Sequence, residues 1–291
     1  MTQQRLGPML AEGKTKIIYA HPDDPALAQM LHKDSISAGD GARRNTINGK
    51  GALSGRTAAN VFRLLNRAPI ATHFVAAPEP TVMLVRRCDM IPIEVVMRRI
   101  ATGSYLKRHP ATAEGTRFDP PLVEFFLKDD ARHDPQITVE AMAEQAIATA
   151  AEAERMLTEG RRVFETLERA WAEQAITLVD MKIEFGRPIE MGDGRSETRD
   201  AATQSPISNL QSPIIVADMI DNDSWRIWPG GEKSRMLDKQ IYRNMQQVDD
   251  QGLEQIRQLY ETVAGMTDRW NDKVTGSFTL SPCQVEKLCN H

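Results

Sequence analysis

The sequence predicts an α+β protein, with an N-terminal antiparallel sheet domain followed by a larger α+β second domain. Two observations carry this. The first 130 of the 291 residues read as short β-branched or apolar runs punctuated by Pro, Gly and Asp. The helical patterns that follow lie between further strands without the regular alternation of a doubly wound parallel sheet.

In chain order, residues 16–20 (KIIYA), 81–85 (TVMLV) and 93–97 (IEVVM) read as strands. One helix interrupts them. After Gly51, Ala58, Val61, Phe62, Leu64 and Leu65 recur at helical spacing until Pro69 ends the run. Residues 138–171 place Val139, Met142, Ala146, Ala150, Ala153, Leu157, Phe164, Leu167 and Trp171 at steps of three and four, which predicts a long amphipathic helix with Gly160 as a point where it could break. Residues 176–185 form a buried strand stopped by Gly186. Residues 187–213, rich in Gly, Ser, Thr, Asp and Pro, read as an exposed inserted loop. A strand over 213–220 and a helix over 252–270, through Leu253, Ile256, Leu259, Tyr260 and Val263, complete the pattern. The expected division is a sheet domain at 1–90, an α+β domain at 91–273 that includes the loop 187–213, and a tail at 274–291. Ligands often sit in a cleft between two such parts.

Composition narrows the function. With 41% hydrophobic and 26% charged residues the chain can bury a sizeable core. Forty acidic residues against 36 basic ones give a net charge of −4, which disfavours a dedicated nucleic-acid binder. No apolar run reaches the roughly 18 residues of a membrane span, and residues 1–10 lack the apolar core of a signal peptide. Cys88, Cys283 and Cys289 are an odd number with no CxxC pair, so a reducing, cytoplasmic setting is expected. The near-neutral mean hides a contrast. Residues 86–108 carry a net +4, and the helical pattern over 140–173 carries −4, so a localised cationic region is available to a phosphorylated ligand.

Four segments could carry chemistry. In Glu12-Gly13-Lys14-Thr15-Lys16 an extended backbone puts Lys14 and Lys16 on one face, able to reach one anion together. Two solvated lysines would read the same. The P-loop reading fails, because five residues separate Gly7 from Gly13 and no helix pattern follows. In residues 37–43 (SAGDGAR) two glycines flank Asp40, a frame from which backbone N–H groups approach an anion while Asp40 and Arg43 project; a plain turn has the same composition. Ser104 stands near the start of a short helix close to Arg98, which fits either a phosphate cradle or an ordinary cap. On strands, Lys182 and Glu184 share one face and Asp218 ends the next apolar run. Burying such a charge pair is costly unless it is partnered, so a solvated or metal-facing position is expected, with a surface acidic turn as the plainer reading of the Asp218 segment. The six histidines are scattered without metal-ligand or triad spacing.

Taken in order, residues 12–16, 37–43, 98–104 (RRIATGS), 126–131 (FLKDDA) with Asp134-Pro135, 178–186 (LVDMKIEFG), 221–226 (DNDSWR) and 238–240 (DKQ) resemble the SAICAR synthetase family, in particular the branch that includes the synthetase part of the bifunctional animal enzyme. The resemblance spans about residues 10–265. It implies the family's fold, with an ATP cleft between the two parts, and its reaction: ATP, the phosphoribosyl aminoimidazole carboxylate CAIR and L-aspartate give SAICAR, ADP and phosphate. By motif match, Lys14 and Lys16 would touch the ATP phosphates and Met90 would lie by the adenine in a linker. Glu184 and Asp218 would complete the ATP site by holding Mg²⁺. Arg98, Ser104, Asp223, Arg226, Lys239 and Arg243 would grip CAIR, and Asp40 and Lys128 would stand with Lys14 at the reacting ends. Many bacterial members have Glu after the metal aspartate, where this chain has Met219. The implied partners are small molecules, with no nucleic acid and no membrane, and a homo-oligomer is left open. Two other functions fit the same residues: a ligase of this shape acting on another carboxylate and amine, and a non-catalytic ATP-binding module.

Overall fold

A computed structural model describes residues 5–39, 41–189 and 214–272. The expected tail at 274–291, most of the inserted loop and Asp40 lie outside the described residues.

The chain begins with β1 (Met9–Glu12), β2 (Lys16–Ala20), β3 (Leu27–His32), a small hairpin of β4 (Ser35–Ala38) and β5 (Arg43–Thr46), and helix α1 (Lys50–Arg67). β6 (Phe74–Glu79) and β7 (Val82–Arg86) complete an antiparallel sheet of order β1-β2-β3-β7-β6. β8 (Cys88–Ile100), the short α2 (Ser104–Arg108) and β9 (Arg117–Leu127) follow. Then come α3 (Val139–Glu144), α4 (Ala150–Ala172), β10 (Ile176–Pro188), β11 (Ile215–Ala217), β12 (Trp225–Pro229), α5 (Gln240–Asn244) and α6 (Asp250–Asp272). The second sheet runs β11-β10-β8-β9, and β12 also pairs with β10.

The predicted strand at 16–20 coincides with β2. The helix expected over 138–171 is two helices. The break falls where Ala146 takes a left-handed backbone (φ +54°), and Thr149 then caps α4 through a capping box with Glu152. Gly160 lies inside unbroken α4, because the helix there presses against β8: a Cβ would sit 3.2 Å from Val95 Cγ1 and 3.3 Å from Met97 Sδ. The strand expected to stop at Gly186 continues to Pro188 after a shift of register, and the one expected over 213–220 is confined to Ile215–Ala217.

The main core is continuous between the sheets. It joins Met30, Phe62 and Met83 to Ile93, Val95, Phe164, Leu167, Trp171 and Phe185, and full burial of each such large side chain contributes about 1.5–3 kcal/mol. Trp171 stacks edge-on against Trp225 and Trp270. A second, smaller core of Ile36, Ile47, Tyr242, Ile256, Leu259 and Tyr260 ties the β4–β5 hairpin to α5 and α6. No helix among the described residues is long and apolar enough to cross a membrane.

Candidate active site

The site is built on a polar stripe shared by β8 and β10. In a strand alternate side chains share a face, so Ile93, Val95 and Met97 enter the core while Glu94 and Arg98 point the other way. β10 repeats the pattern with Met181 and Ile183 inward and Asp180, Lys182 and Glu184 on the opposite face. The antiparallel register then pairs Asp180 with Arg98, Lys182 with Val96 and Glu184 with Glu94, which lays five charged side chains side by side. On its other edge β10 pairs first with β12 and then with β11. Between those two strands residues 218–224 cross over the stripe, anchored where Lys182 N donates to Ser224 O at 2.8 Å.

Two openings meet there. A cleft of about 1000 Å³ is lined by Arg98, Ser104, Lys107, Asp180, Trp225 and Arg226, among others. A smaller one of about 400 Å³ is lined by Lys14, Lys16, Gly39, Gly41 and Asp218. Glu94, Lys182, Asp223, Ser224 and Arg243 line both.

Charge pairing within the site is dense. Glu184 is only 2% exposed, and its two oxygens accept from Lys182 Nζ and Lys128 Nζ, each at 2.7 Å. Burial pushes its carboxyl up, but the ammonium groups of Lys182, Lys128 and Lys16 outweigh that and bring its pKa down to about 2. Lys182 also reaches Glu94 at 3.1 Å. Of the expected solvated or metal-facing position for Lys182 and Glu184, solvation does not hold for the glutamate: it is buried, and its burial is offset by partners. Lys16 pairs with Asp218. Burial brings the Lys16 pKa down to about 8, with Lys182 and Lys128 adding to the effect and Glu184 opposing it. Asp218 holds φ at +64°, a strain of about 1 kcal/mol or more for a residue with a Cβ, and this conformation turns the chain from β11 into the crossover.

On the side of the larger cleft, Arg98 is buried and spends its guanidinium on Glu124 (2.6 Å) and Asp180 (2.9 Å). Arg226 Nε lies 3.3 Å from the other Asp180 oxygen, and its guanidinium rests on Gly103, whose φ of +60° and missing Cβ make room for it. Three cations of the +4 segment are thus paired within the fold: Arg98, Arg99 with Glu168 of the acidic helix α4, and Arg108 with Glu124. Asp223 accepts from Lys239 Nζ at 3.0 Å and from the Tyr260 hydroxyl, and Lys50 Nζ stands 3.6 Å away. Burial pushes its carboxyl up, yet Lys50 and Lys239 hold it well below the usual range.

Most of the expected residues are brought together: Lys14, Lys16, Arg98, Ser104, Glu184, Asp218, Asp223, Arg226, Lys239 and Arg243 all line these openings or bond to residues that do. Lys128 reaches the site through Glu184. Met90 is an exposed residue within β8. Ser104 is the first residue of α2, with Gly103 at the cap position, in keeping with its expected place near a helix start. One expectation changes. Arg43 turns away from the glycine loop and donates to the carbonyls of Tyr242 (3.0 Å) and Met245 (2.7 Å), which ties β5 to α5. Sequence reasoning missed Glu94, Asp180, Lys50 and Tyr260. The alternation along β8 and β10 would have found the first two; no local pattern marks the others.

For a divalent cation, Glu184 and Asp218 supply hard, ionised oxygen donors of the kind Mg²⁺ prefers. Both are held by lysines in this arrangement, and among the described residues no group of three or more His, Cys, Asp or Glu side chains converges as a metal cage. The donor chemistry fits an ion that takes its remaining ligands from phosphate and water.

Comparison with known proteins agrees with the geometry. The family model described as SAICAR synthetase matches residues 9–198 and 207–259. The chain is 65% identical over 265 residues to the phosphoribosylaminoimidazole-succinocarboxamide synthase of Roseiflexus castenholzii, covering 91% of this chain and 98% of that protein. It is 42% identical over 265 residues to the bifunctional phosphoribosylaminoimidazole carboxylase/phosphoribosylaminoimidazole succinocarboxamide synthetase of Rattus norvegicus, covering 89% of this chain and 58% of that protein. Among solved structures, a SAICAR synthetase in complex with ADP superimposes with a TM-score of 0.72 at 28% identity, covering 89% of this chain and 97% of that one. On the family match and a nearly full-length relative at this identity, the chain belongs to the SAICAR synthetase family.

Proposed function

We propose that the chain is an ATP-dependent ligase that joins L-aspartate to the carboxylate of CAIR, giving SAICAR, ADP and phosphate in purine biosynthesis. The observation that carries this reading is the junction of two charged openings over the β8–β10 stripe, in a chain of this family. A carboxylate is a poor acyl donor because its oxygen leaves badly. The γ-phosphoryl of ATP passes to it, and the aspartate amine displaces phosphate from the acyl phosphate. Little covalent work falls on the protein, and orientation alone is worth about 7–11 kcal/mol in such reactions.

The residues divide by opening. Lys14 and Lys16, in the smaller one, neutralise phosphate charge, and Lys16 is free to leave Asp218 when a phosphate oxygen replaces it. Glu184 and Asp218 would hold Mg²⁺, which would neutralise charge on the transferring phosphoryl group. Arg98, Ser104, Asp223, Arg226, Lys239 and Arg243, in and around the larger one, bind CAIR, with Arg226 suited to a bidentate anion contact. Asp40 and Lys128 complete the set at the reacting ends, Lys128 by holding Glu184. We further read 1–90 and 91–273 as the two lobes of the cleft, the setting as cytoplasmic, and the partners as small molecules, with a homo-oligomer compatible and no nucleic acid or membrane involved.

The test is ADP release measured with all three substrates and with each omitted in turn, SAICAR being identified by mass. Release that requires CAIR and aspartate supports the reading; release indifferent to CAIR, or supported equally by other imidazole acids, overturns it. A related expectation concerns Gly103. In Gly103→Ala the new Cβ takes the space of the Arg226 guanidinium at a strained φ, so the KM for CAIR should rise about tenfold with the KM for ATP little changed. Steady-state kinetics on the two substrates check it.

A further inference from the structure

Lys50 breaks three ordinary preferences at once. It is fully buried, a place lysine almost never occupies unless paired. It is the first residue of α1, where the helix dipole disfavours a cation. Its polar contacts are loose, with Ser54 Oγ at 3.3 Å and an Asp223 oxygen at 3.6 Å, while its ammonium faces the Tyr260 ring at 4.8 Å. The helix start itself does not need it, because Asp34 accepts from the N–H groups of Gly49 (3.1 Å) and Gly51 (2.8 Å). A residue that violates local rules without serving its own element points to a functional constraint elsewhere.

That constraint is Asp223, the one carboxylate besides Glu94 that lines both openings. Lys50 arrives from α1, Tyr260 from α6 and Lys239 from the segment before α5, and all three converge on it. Behind it lies Asp221, fully buried, with one oxygen taken by Asp223 N at 2.9 Å and the other without a partner among the described residues. Two adjacent buried carboxylates drive one another toward protonation, and burial together with Asp223 raises the Asp221 carboxyl, an effect that the nearby Lys50 ammonium opposes.

We propose that Lys50 is a positioning residue that keeps Asp223 ionised and fixed where the two openings meet, and thereby sets the affinity for CAIR. The inference rests on the reading of Asp223 as a CAIR contact. Asp223 Oδ1 accepts only from Tyr260 among the described residues, which leaves it a lone pair for a hydroxyl or amino donor of the ligand.

The test is Lys50→Met, a near match in volume. If the lysine were merely structural, an apolar replacement of this size would be neutral or stabilising and would leave kinetics alone. The expected result is a KM for CAIR raised about tenfold or more, a KM for ATP within about twofold of the wild type, and an unchanged CD spectrum. In an Asp223→Asn background the same substitution should add little, since its target is gone. Unchanged CAIR kinetics, equal rises in both KM values, or full additivity with Asp223→Asn overturns the proposal. If Lys50→Met does not fold, Tyr260→Phe, which removes another buried donor to Asp223, must raise the CAIR KM selectively or the proposal falls. A wild type that releases no ADP with CAIR and aspartate would instead remove the functional reading on which this rests.

Discussion

Glu184→Gln is expected to lower CAIR- and aspartate-dependent ADP release by about 10²–10³-fold, the range seen when one preorganised electrostatic group is removed from a phosphoryl or acyl transfer site. Three ammonium groups are organised around this carboxylate, two of them in contact with it. The amide keeps the shape and one acceptor but removes the charge that gathers Lys128 and Lys182 and that would bind a divalent cation. Breaking a buried ion pair commonly costs about 3–5 kcal/mol. The cost here is smaller, because Lys182 keeps Glu94 at 3.1 Å and Lys128 is half-exposed and can turn to water. The variant should therefore fold, with a CD spectrum like the wild type and a modestly lower Tm. Turnover near the wild-type rate would overturn the assignment of Glu184 to the centre of the site.

Arg226→Ala should raise the KM for CAIR by roughly 10–100-fold, as removal of charge-assisted hydrogen bonds worth about 1.5–3 kcal/mol predicts, while the KM for ATP stays within a few-fold. The selectivity follows from position. Arg226 lines the larger cleft and not the smaller, and it is partnered with Asp180, which keeps Arg98 as a second cation after the substitution. Stability should change little for that reason. Parallel rises in both KM values, together with a lower Tm, would argue that Arg226 holds the fold together and does not bind ligand.

Much of the scaffold was legible in the residues. β2 falls on residues 16–20 because a β-branched, apolar run is bounded by Gly13 and Pro22, and β10 reads as a buried strand from its apolar density. Where the reading failed, a distant contact had outweighed a local preference. Gly160 is the worst helix former in α4, yet the helix breaks at Ala146, because packing on Val95 and Met97 needs a glycine there. Arg43 beside the glycine loop resembles an anion contact until α5, some 200 residues later, is seen to offer it two carbonyls.

By itself the sequence determined the family, the α+β class and the sets of residues that share a face, since strand alternation is a property of the local backbone. It identified Lys182 and Glu184 as sharing one face, and the same alternation places Asp180 beside them and Glu94 beside Arg98. Only the tertiary structure decided which charges meet. The β8–β10 register aligns rows more than 80 residues apart, and the β11–β12 crossover brings Asp218 to Lys16 and Asp223 to Lys50. The worth of a buried charge depends on partners within a few ångströms, and those partners come from elements whose proximity no local pattern encodes.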